Sequence, residues 1–420
     1  MGNKFMKNKP SMIAHPRPVY PYMVWITCNL INFYALLLQF SSWDVRTHFH
    51  EKELLFSVDS EALFTPLVLS IILFQIPIAL LIDRFGPKKV SSLTLIIAAL
   101  GVILFGYTHS PTLLWIGILL MGLGTTITYV NSLKLIANWF SHPRFPFMVS
   151  WTVIGIIIST IIGQPLIILL AKQFGWSNLL INLGMVGIIL AFFFFIFVRD
   201  QSESVLSQFE CGPSLKKVFS SPNTYLIALT GALGITPWLA STGFWHHAFY
   251  TVAYKMNGGD AAFINLIDML GFGIGSLCFS VYGKKVGKRK VLIGGGILAS
   301  LLITCLLIYA PRFTLPSLIA LTGVGSFFIG SVTLTFTLIC ENNQFKSVGL
   351  SVGILCFAVA LLRFIENLLI TLIITGKSKV PLETLLESST KEFQQGLILM
   401  PVFLLLSFIC VIFIKENYGK

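Results

Sequence analysis

Charge is what this sequence has least of. Asp, Glu, Lys and Arg make up 11% of its 420 residues, against about one-quarter in an average soluble domain. With 55% of the residues hydrophobic, the excess of apolar side chains cannot be hidden in one soluble core. Cysteine is scarce as well. The seven cysteines fall in apolar runs or, for Cys211, in a polar central segment, and none has metal-site spacing. A disulfide framework and a metal site are therefore not expected. No G-x-x-x-x-G-K-[ST] loop occurs, so ATP hydrolysis is not supported, and H-E-x-x-H, G-x-S-x-G and acidic metal clusters are missing too. The expectation is a non-enzyme with no cofactor. The short alternating segments of a membrane β-barrel are also lacking. No signal-peptide cleavage site follows the first apolar run, and Met6 stands where a myristoylation signal needs Ser or Thr.

What is there is a series of long apolar runs, each long enough to cross a bilayer, which takes roughly 20 residues. Backbone groups in hydrocarbon must be satisfied within the segment, so these runs are read as helices. Twelve spans are expected, at 20–41, 62–82, 90–108, 112–135, 147–171, 177–198, 223–246, 261–282, 290–310, 314–340, 347–375 and 393–414. The expected fold class is an all-α integral membrane protein of two six-helix pseudo-repeat bundles. The expected parts are a cytoplasmic tail 1–19, a bundle 20–198, a central loop 199–222, a second bundle 223–414 and a tail 415–420. The central stretch is polar and carries Pro and Gly, as a linker should. With both termini inside, the inner segments hold 19 of the 29 Lys and Arg and the outer loops 8. That bias places both termini in the cytoplasm. It also accounts for the net charge of +12 without nucleic acid as a partner.

Two short stretches break the apolar pattern at matching places. "LIDRFGPKK", Leu81 to Lys89, lies between spans 2 and 3, and "GKKVGKRK", Gly283 to Lys290, between spans 8 and 9. Gly permits the backbone angles of a tight turn, and the cations hold each turn on the inner side. A carboxylate at the end of span 2 can accept hydrogen bonds from the amino end of a neighbouring helix, latching helices in one state and releasing them in another. These residues resemble the loop signature G-x-x-x-D-R-x-G-R-K of the major facilitator superfamily. Asp83, Arg84, Gly86, Lys88 and Lys89 match; Ala79 replaces the leading Gly and Pro87 a basic residue. In the second half Gly287, Lys288 and Arg289 match, Ser280 replaces the Gly, and Lys284 replaces the acid, so the carboxylate latch is expected in the first half only. The resemblance covers essentially the whole chain and implies two six-span halves related as repeats.

Other family marks are partial. Gly122 and Gly124 in span 4 look like the glycines of a motif associated with proton coupling, but Ile118 stands where that motif has Arg. "GIIISTIIGQP" in span 5 is similar to a motif of drug/proton antiporters, with Gln164 breaking its spacing. The resemblance further implies that spans 1, 4, 7 and 10 line a central cavity. On span 1, Asn29, Asn32 and Gln39 share one face, with interhelical hydrogen bonding as the alternative. Span 4 offers Thr125, Tyr129 and Asn131, and Lys134 near its inner end is read as snorkelling to the interface. In span 7, Trp238, Ser241, Thr242 and Trp245 share one face. Trp245 and His246 suit an outer aromatic belt, Trp238 suits stacking on a solute, and Pro237 suits a kink.

Three ionisable residues lie well inside spans: Asp268 in span 8, and Arg363 and Glu366 in span 11, with Asn367 beside them. A charge in hydrocarbon costs several kcal/mol and needs a cavity or a partner. Arg363 and Glu366 are three apart and can pair with each other, and Asp268 can pair with Arg363; the sequence does not choose. The functional reading gives Arg363 an anionic group of the solute and gives Asp268 or Glu366 the coupling proton, because burial disfavours the ionised form. The whole is read as a secondary transporter of a small polar, possibly anionic, organic solute, working by alternating access in proton symport. The alternatives are a proton-driven exporter of drugs or metabolites and, more distantly, a transport-inactive receptor. Its expected setting is a bacterial inner membrane, as a multi-pass monomer whose partners are solute, protons and lipid.

Overall fold

A computed structural model of the protein describes residues 19–49, 65–108, 110–126, 128–200, 214–310, 313–343, 347–376 and 388–416. The tail 1–18, residues 50–64, the part of the central loop that holds Cys211, and residues 377–387 and 417–420 lie outside them. Among the described residues there are twelve helices long and apolar enough to cross a membrane. These are span 1, Tyr20–Ser41; span 2, Pro66–Phe85; span 3, Pro87–Tyr107; span 4, Pro111–Trp139; span 5, Phe145–Phe174; and span 6, Trp176–Phe197. The second half holds span 7, Pro222–Tyr254; span 8, Gly258–Val286; span 9, Arg289–Tyr309; span 10, Leu315–Asn342; span 11, Val348–Thr375; and span 12, Thr390–Phe413. A short helix, Ser214–Ser220, precedes span 7. Its outer faces are apolar: Phe192 is 67% exposed and Leu302 64%. Such surface is unfavourable in water and suits lipid.

Inside each half the helices pack through small residues, because hydrocarbon offers no hydrophobic drive and close van der Waals approach takes its place. In the first half, span 3 packs on spans 4 and 6, and span 1 on spans 5, 4 and 6. In the second half, span 8 packs on span 10, and span 9 on spans 10 and 12. At the span 8–10 crossing, a Cβ on Gly275 would run into the Phe327 carbonyl, and one on Gly330 into the backbone of Gly275 and Ser276. The two halves meet mainly along spans 2 and 11 and spans 5 and 8.

Four spans are not regular throughout, span 12 being built of two helices, Thr390–Gly396 and Leu399–Phe413. Span 4 is built of two helices, Pro111–Thr125 and Thr128–Trp139. Span 10 is interrupted by a 3₁₀ turn at Gly330–Thr333. Span 7 contains a π-turn at Ser241–Trp245, in which the His246 N–H reaches back to the Ser241 carbonyl. That turn begins four residues after Pro237, which is inside the preceding helix.

Both charged turns depend on left-handed glycines. Gly86 has φ 87° and Gly287 φ 69°, values that cost an L side chain about 1–2 kcal/mol. The packing predicts that Gly275→Val lowers the melting temperature of the detergent-solubilised protein, at a cost of more than about 2 kcal/mol from overpacking. Gly295→Ala, where no atom lies within 4 Å of the added Cβ, is the control expected to melt as wild type.

Candidate functional site

The two halves are joined at the end of the bundle that carries both charged turns. Asp83, at the end of span 2, accepts the Gly349 N–H at 3.0 Å and the Leu350 N–H at 2.7 Å, both at the start of span 11. Its Oδ1 also takes the Lys134 ammonium from span 4 at 2.6 Å. The first N–H groups of a helix have no partner within it, so a carboxylate there gains hydrogen bonds and a favourable dipole together. The approach is possible because Gly349 and Gly353 are one turn apart and face Asp83 and Ala79. A Cβ on Gly349 would lie 2.7 Å from Asp83 Oδ1, and one on Gly353 would strike Ala79. Nearby, the Ser150 hydroxyl donates to the Ser276 carbonyl between spans 5 and 8 at 2.9 Å. The Tyr129 and Phe336 rings meet edge to face at 5.2 Å between spans 4 and 10.

Each half also holds its own turn with a carboxylate from just beyond its sixth helix. Asp200 accepts the Lys88 N–H at 3.0 Å, and Glu416 accepts the Lys290 N–H. Burial pushes the Asp200 carboxyl up, while the Lys88 N–H and the Lys88 and Lys89 charges pull it back. In the second half Arg289 pairs with Glu341 of span 10 at 2.7 Å, and both are nearly buried. Of the other turn residues, Lys284 and Lys288 are exposed, and Arg84 lies 5.2 Å from the Phe85 ring centroid.

Farther along the helices, away from this closed end, polar groups gather around the span 7 π-turn. Arg363 of span 11 is solvent-accessible, and its Nη2 lies 3.5 Å from where a Cβ on Gly243 would sit. The guanidinium therefore lies against Gly243 of span 7. Asn367 accepts the Trp245 indole N–H at 2.7 Å. Asn265 of span 8 donates to the Thr242 carbonyl at 2.8 Å. Asp268 is 3% exposed; its Oδ2 lies 3.3 Å from the Ser241 hydroxyl and 3.4 Å from His246 Nδ1. That imidazole nitrogen is within ion-pair reach but is not aimed for a hydrogen bond. Trp238 stacks on Phe272 with centroids 3.8 Å apart. Glu366 is fully buried, and neither carboxylate oxygen has a protein hydrogen-bond partner.

Residues 23–365 match the model of the Major Facilitator Superfamily. The chain belongs to the major facilitator superfamily. Among curated proteins it is 26% identical over 206 residues to the uncharacterized transporter YybO of Bacillus subtilis (strain 168), covering 44% of this chain and 47% of that one. It is 25% identical over 192 residues to a probable L-galactonate transporter of Escherichia coli (strain K12), covering 44% and 42%. The matched stretch thus spans under half the length of each relative. Its fold is that of the superfamily transporter FucP in the outward conformation, with TM-score 0.67 at 15% identity over 95% of this chain and 100% of FucP. A second structure, titled the E. coli fucose:proton symporter FucP, gives TM-score 0.66 at 14% identity over the same shares.

Several sequence expectations change in three dimensions. Lys134 does not snorkel: it is 7% exposed and paired with Asp83. Trp245 is not at a belt but buried and bonded to Asn367, and His246 faces Asp268. The four span 7 residues do not share a face, because the π-turn sends Ser241 toward span 8 and Trp245 toward span 11. Neither the Arg363–Glu366 nor the Arg363–Asp268 pair forms, since Glu366 has no hydrogen-bond partner and Asp268 faces span 7. The second half does lack an acid at the end of span 8, but Glu341 and Glu416 engage its turn from elsewhere.

The cavity candidates on the first half divide. Asn32 donates to the Ser132 hydroxyl at 3.1 Å, the interhelical alternative, while its carbonyl oxygen has no protein partner. Asn29 packs against Gly155, and its Oδ1, the Tyr129 hydroxyl and Asn131 Oδ1 are likewise buried without one. Thr125 is buried with its hydroxyl on the Gly122 carbonyl, and Gln39 is half-buried on the Asn29 face. Sequence reasoning missed Asn265, Asp200, Glu341 and Glu416. Asn265 lies three residues before Asp268, one turn away on the same face. Asp200 and Glu416 each stand just past the last apolar residue of a half. Those spacings were available signals.

Asp83→Ala leaves the Lys134 ammonium and two backbone N–H groups without their acceptor, and is expected to cost about 3 kcal/mol. In a thermal double-mutant cycle with Lys134→Met, the two changes should be non-additive by more than about 1 kcal/mol. Additive losses would mean that the ammonium and carboxylate do not stabilise one another.

Proposed function

We propose that the protein is a secondary transporter that carries a small organic anion of the sugar-acid class by alternating access, in symport with protons. The observation that carries this reading is the pairing of chemistries in span 11. An accessible guanidinium, Arg363, sits one helical turn from a buried carboxyl without a protein hydrogen-bond partner, Glu366. A planar guanidinium fork suits a carboxylate, and an unpaired buried carboxyl is most stable when protonated. Asn367 and Trp238, with Asn29, Asn32, Tyr129 and Asn131 of the first half, supply donors, acceptors and a ring face of the kind a polyhydroxylated solute needs. Buried polar atoms without a partner cost about 1–3 kcal/mol each, and their concentration here supports a polar cargo. A relative named a probable L-galactonate transporter agrees with the anion class.

In this scheme Arg363 anchors the carboxylate of the solute and Glu366 carries the coupling proton. Asp83 on the start of span 11 closes the end that bears both charged turns. The Lys and Arg bias assigns that end to the cytoplasm, so the present conformation opens outward. Release of the Asp83 latch lets the halves rock and opens the other side. The setting proposed is a bacterial inner membrane, with the protein acting as a monomer.

The test is uptake of L-galactonate and a panel of related sugar acids by reconstituted liposomes, with and without an inward proton gradient. One sugar acid is expected to accumulate with the gradient. Arg363→Gln should lower its uptake by at least about tenfold, the loss of one charge-assisted contact. Glu366→Gln should abolish gradient-driven accumulation while sparing exchange at equal pH. Uptake that ignores the gradient and survives both substitutions would overturn the reading.

A further inference from the structure

The π-turn of span 7 is held from two sides at once. On the span 8 side, the Ser241 hydroxyl is shared between the Trp238 carbonyl at 2.8 Å and Asp268 Oδ2 at 3.3 Å. The Thr242 carbonyl accepts from Asn265, and His246, whose N–H closes the turn, faces Asp268. On the span 11 side, Gly243 lies against Arg363 and the Trp245 indole donates to Asn367. The first two residues of the turn, Ser241 and Thr242, thus touch span 8, and Gly243 and Trp245 touch span 11. A π-turn is one residue out of α-helical register and persists where side chains tie it down. Relaxation to an α-helix would rotate everything beyond it by about 100°, one residue of a helix with 3.6 per turn. Trp245 would leave Asn367, and the wall opposite Arg363 would change.

Behind the turn lies a cavity of about 40 Å³, which Arg363 does not line. Asp268, His246, Ser241, Ser300, Thr322 and Ser326 line it. Among the described residues, the ionisable groups facing the Asp268–His246 pair are few. Span 7 adds Tyr250, whose ring lies 5.4 Å from His246 and whose hydroxyl is bonded to Thr322. Arg363 of span 11 stands on the far side of Gly243. Spans 9, 10 and 12 contribute only hydroxyls and apolar groups to the cavity wall.

We propose that Asp268 and His246 form a proton-binding site of their own, distinct from Glu366, and that its occupancy sets the π-turn and thereby the geometry of the anion site. This rests on the reading of Arg363 as the anchor of that site. With the imidazole neutral, the contact to Asp268 is long and poorly aimed. With the imidazole protonated, it becomes a charge-assisted bond, about twice as strong as a neutral one, and it ties the closing residue of the turn to span 8. Acidic conditions therefore fix the turn with Trp245 on Asn367; alkaline conditions loosen it. The first half can then receive solute against a wall whose shape depends on pH.

The test is amide hydrogen exchange on the purified full-length protein in lipid nanodiscs, with no solute added, reading peptides that cover 238–250. Rates are corrected for the intrinsic effect of pH. In wild type, protection of this segment should be about tenfold greater near pH 5.5 than near pH 8, as a histidine-based switch requires. His246→Gln and Asp268→Asn should each remove the difference, and His246→Arg should leave the segment protected at both values. Glu366→Gln should keep the wild-type dependence. The proposal falls if wild type shows no difference, or if the difference survives in His246→Gln. It also falls if Glu366→Gln abolishes it, or if sodium at constant pH reproduces it. Because no solute enters the experiment, it can fail or succeed whatever the uptake assay returns.

Discussion

Asp83 joins three elements that would otherwise have no fixed relation. Its carboxylate takes two N–H groups from the first turn of span 11 and the ammonium of span 4. A buried charge is unfavourable unless it is paired and hydrogen-bonded, and here each of the three partners satisfies the others. The geometry works only because spans 2 and 11 cross at Ala79, Gly349 and Gly353, where the absence of side chains lets backbone and carboxylate meet. The two hydrogen bonds that Asp83 accepts from span 11 are made between halves, so they oppose separation at this end. The accessible Arg363 and the polar groups near it lie farther along the helices, away from this end.

Within each half the rules are different. Spans pack closely through small residues, and the charged turns are sealed by carboxylates from the same half. Asp200 and Glu416 occupy equivalent places, and each half carries a nearly buried ion pair to its fourth span, Asp83–Lys134 from the end of span 2 and Arg289–Glu341 from the start of span 9. The two halves meet through buried apolar residues, among them Ile78, Val352 and Ile354, as well as through polar contacts, and in alternating access one repeat rocks against the other. A device of this kind can switch because hydrogen bonds to a carboxylate are lost all at once when a helix end moves by an ångström or two, whereas packed cores resist gradual deformation.

The irregular part of the molecule is where the ionisable groups gather. Span 7 departs from helical register at Ser241–Trp245, and the residues of that turn contact Asp268 and Asn265 on one side and Arg363 and Asn367 on the other. Strain or irregularity at such a place is common around functional groups. Here the exposed Arg363 and the buried Glu366, three residues apart, form no ion pair within 4 Å. Arg363 lies against Gly243, and Glu366 is fully buried.

Much of this was legible in the residues alone. Apolar runs of bilayer length, matching charged turns and the distribution of Lys and Arg sufficed for twelve helices in two halves, because hydrocarbon permits only helical spans or closed barrels and leaves composition little latitude. The sequence also marked Asp83 as a helix-end acceptor, and Asp268, Arg363 and Glu366 as charges in need of an explanation. Their partners were decided by the tertiary structure. Lys134 was read as snorkelling, since nothing local shows that span 4 passes beside Asp83. Trp245 and His246 were read as interfacial because a regular helix would put them there, and a register change of one residue, invisible to periodicity, turns them inward. Composition and period act along the chain and are read along it. Pairing of buried charges depends on which helices cross, at what angle and in what register, and that is settled only when all twelve are packed together.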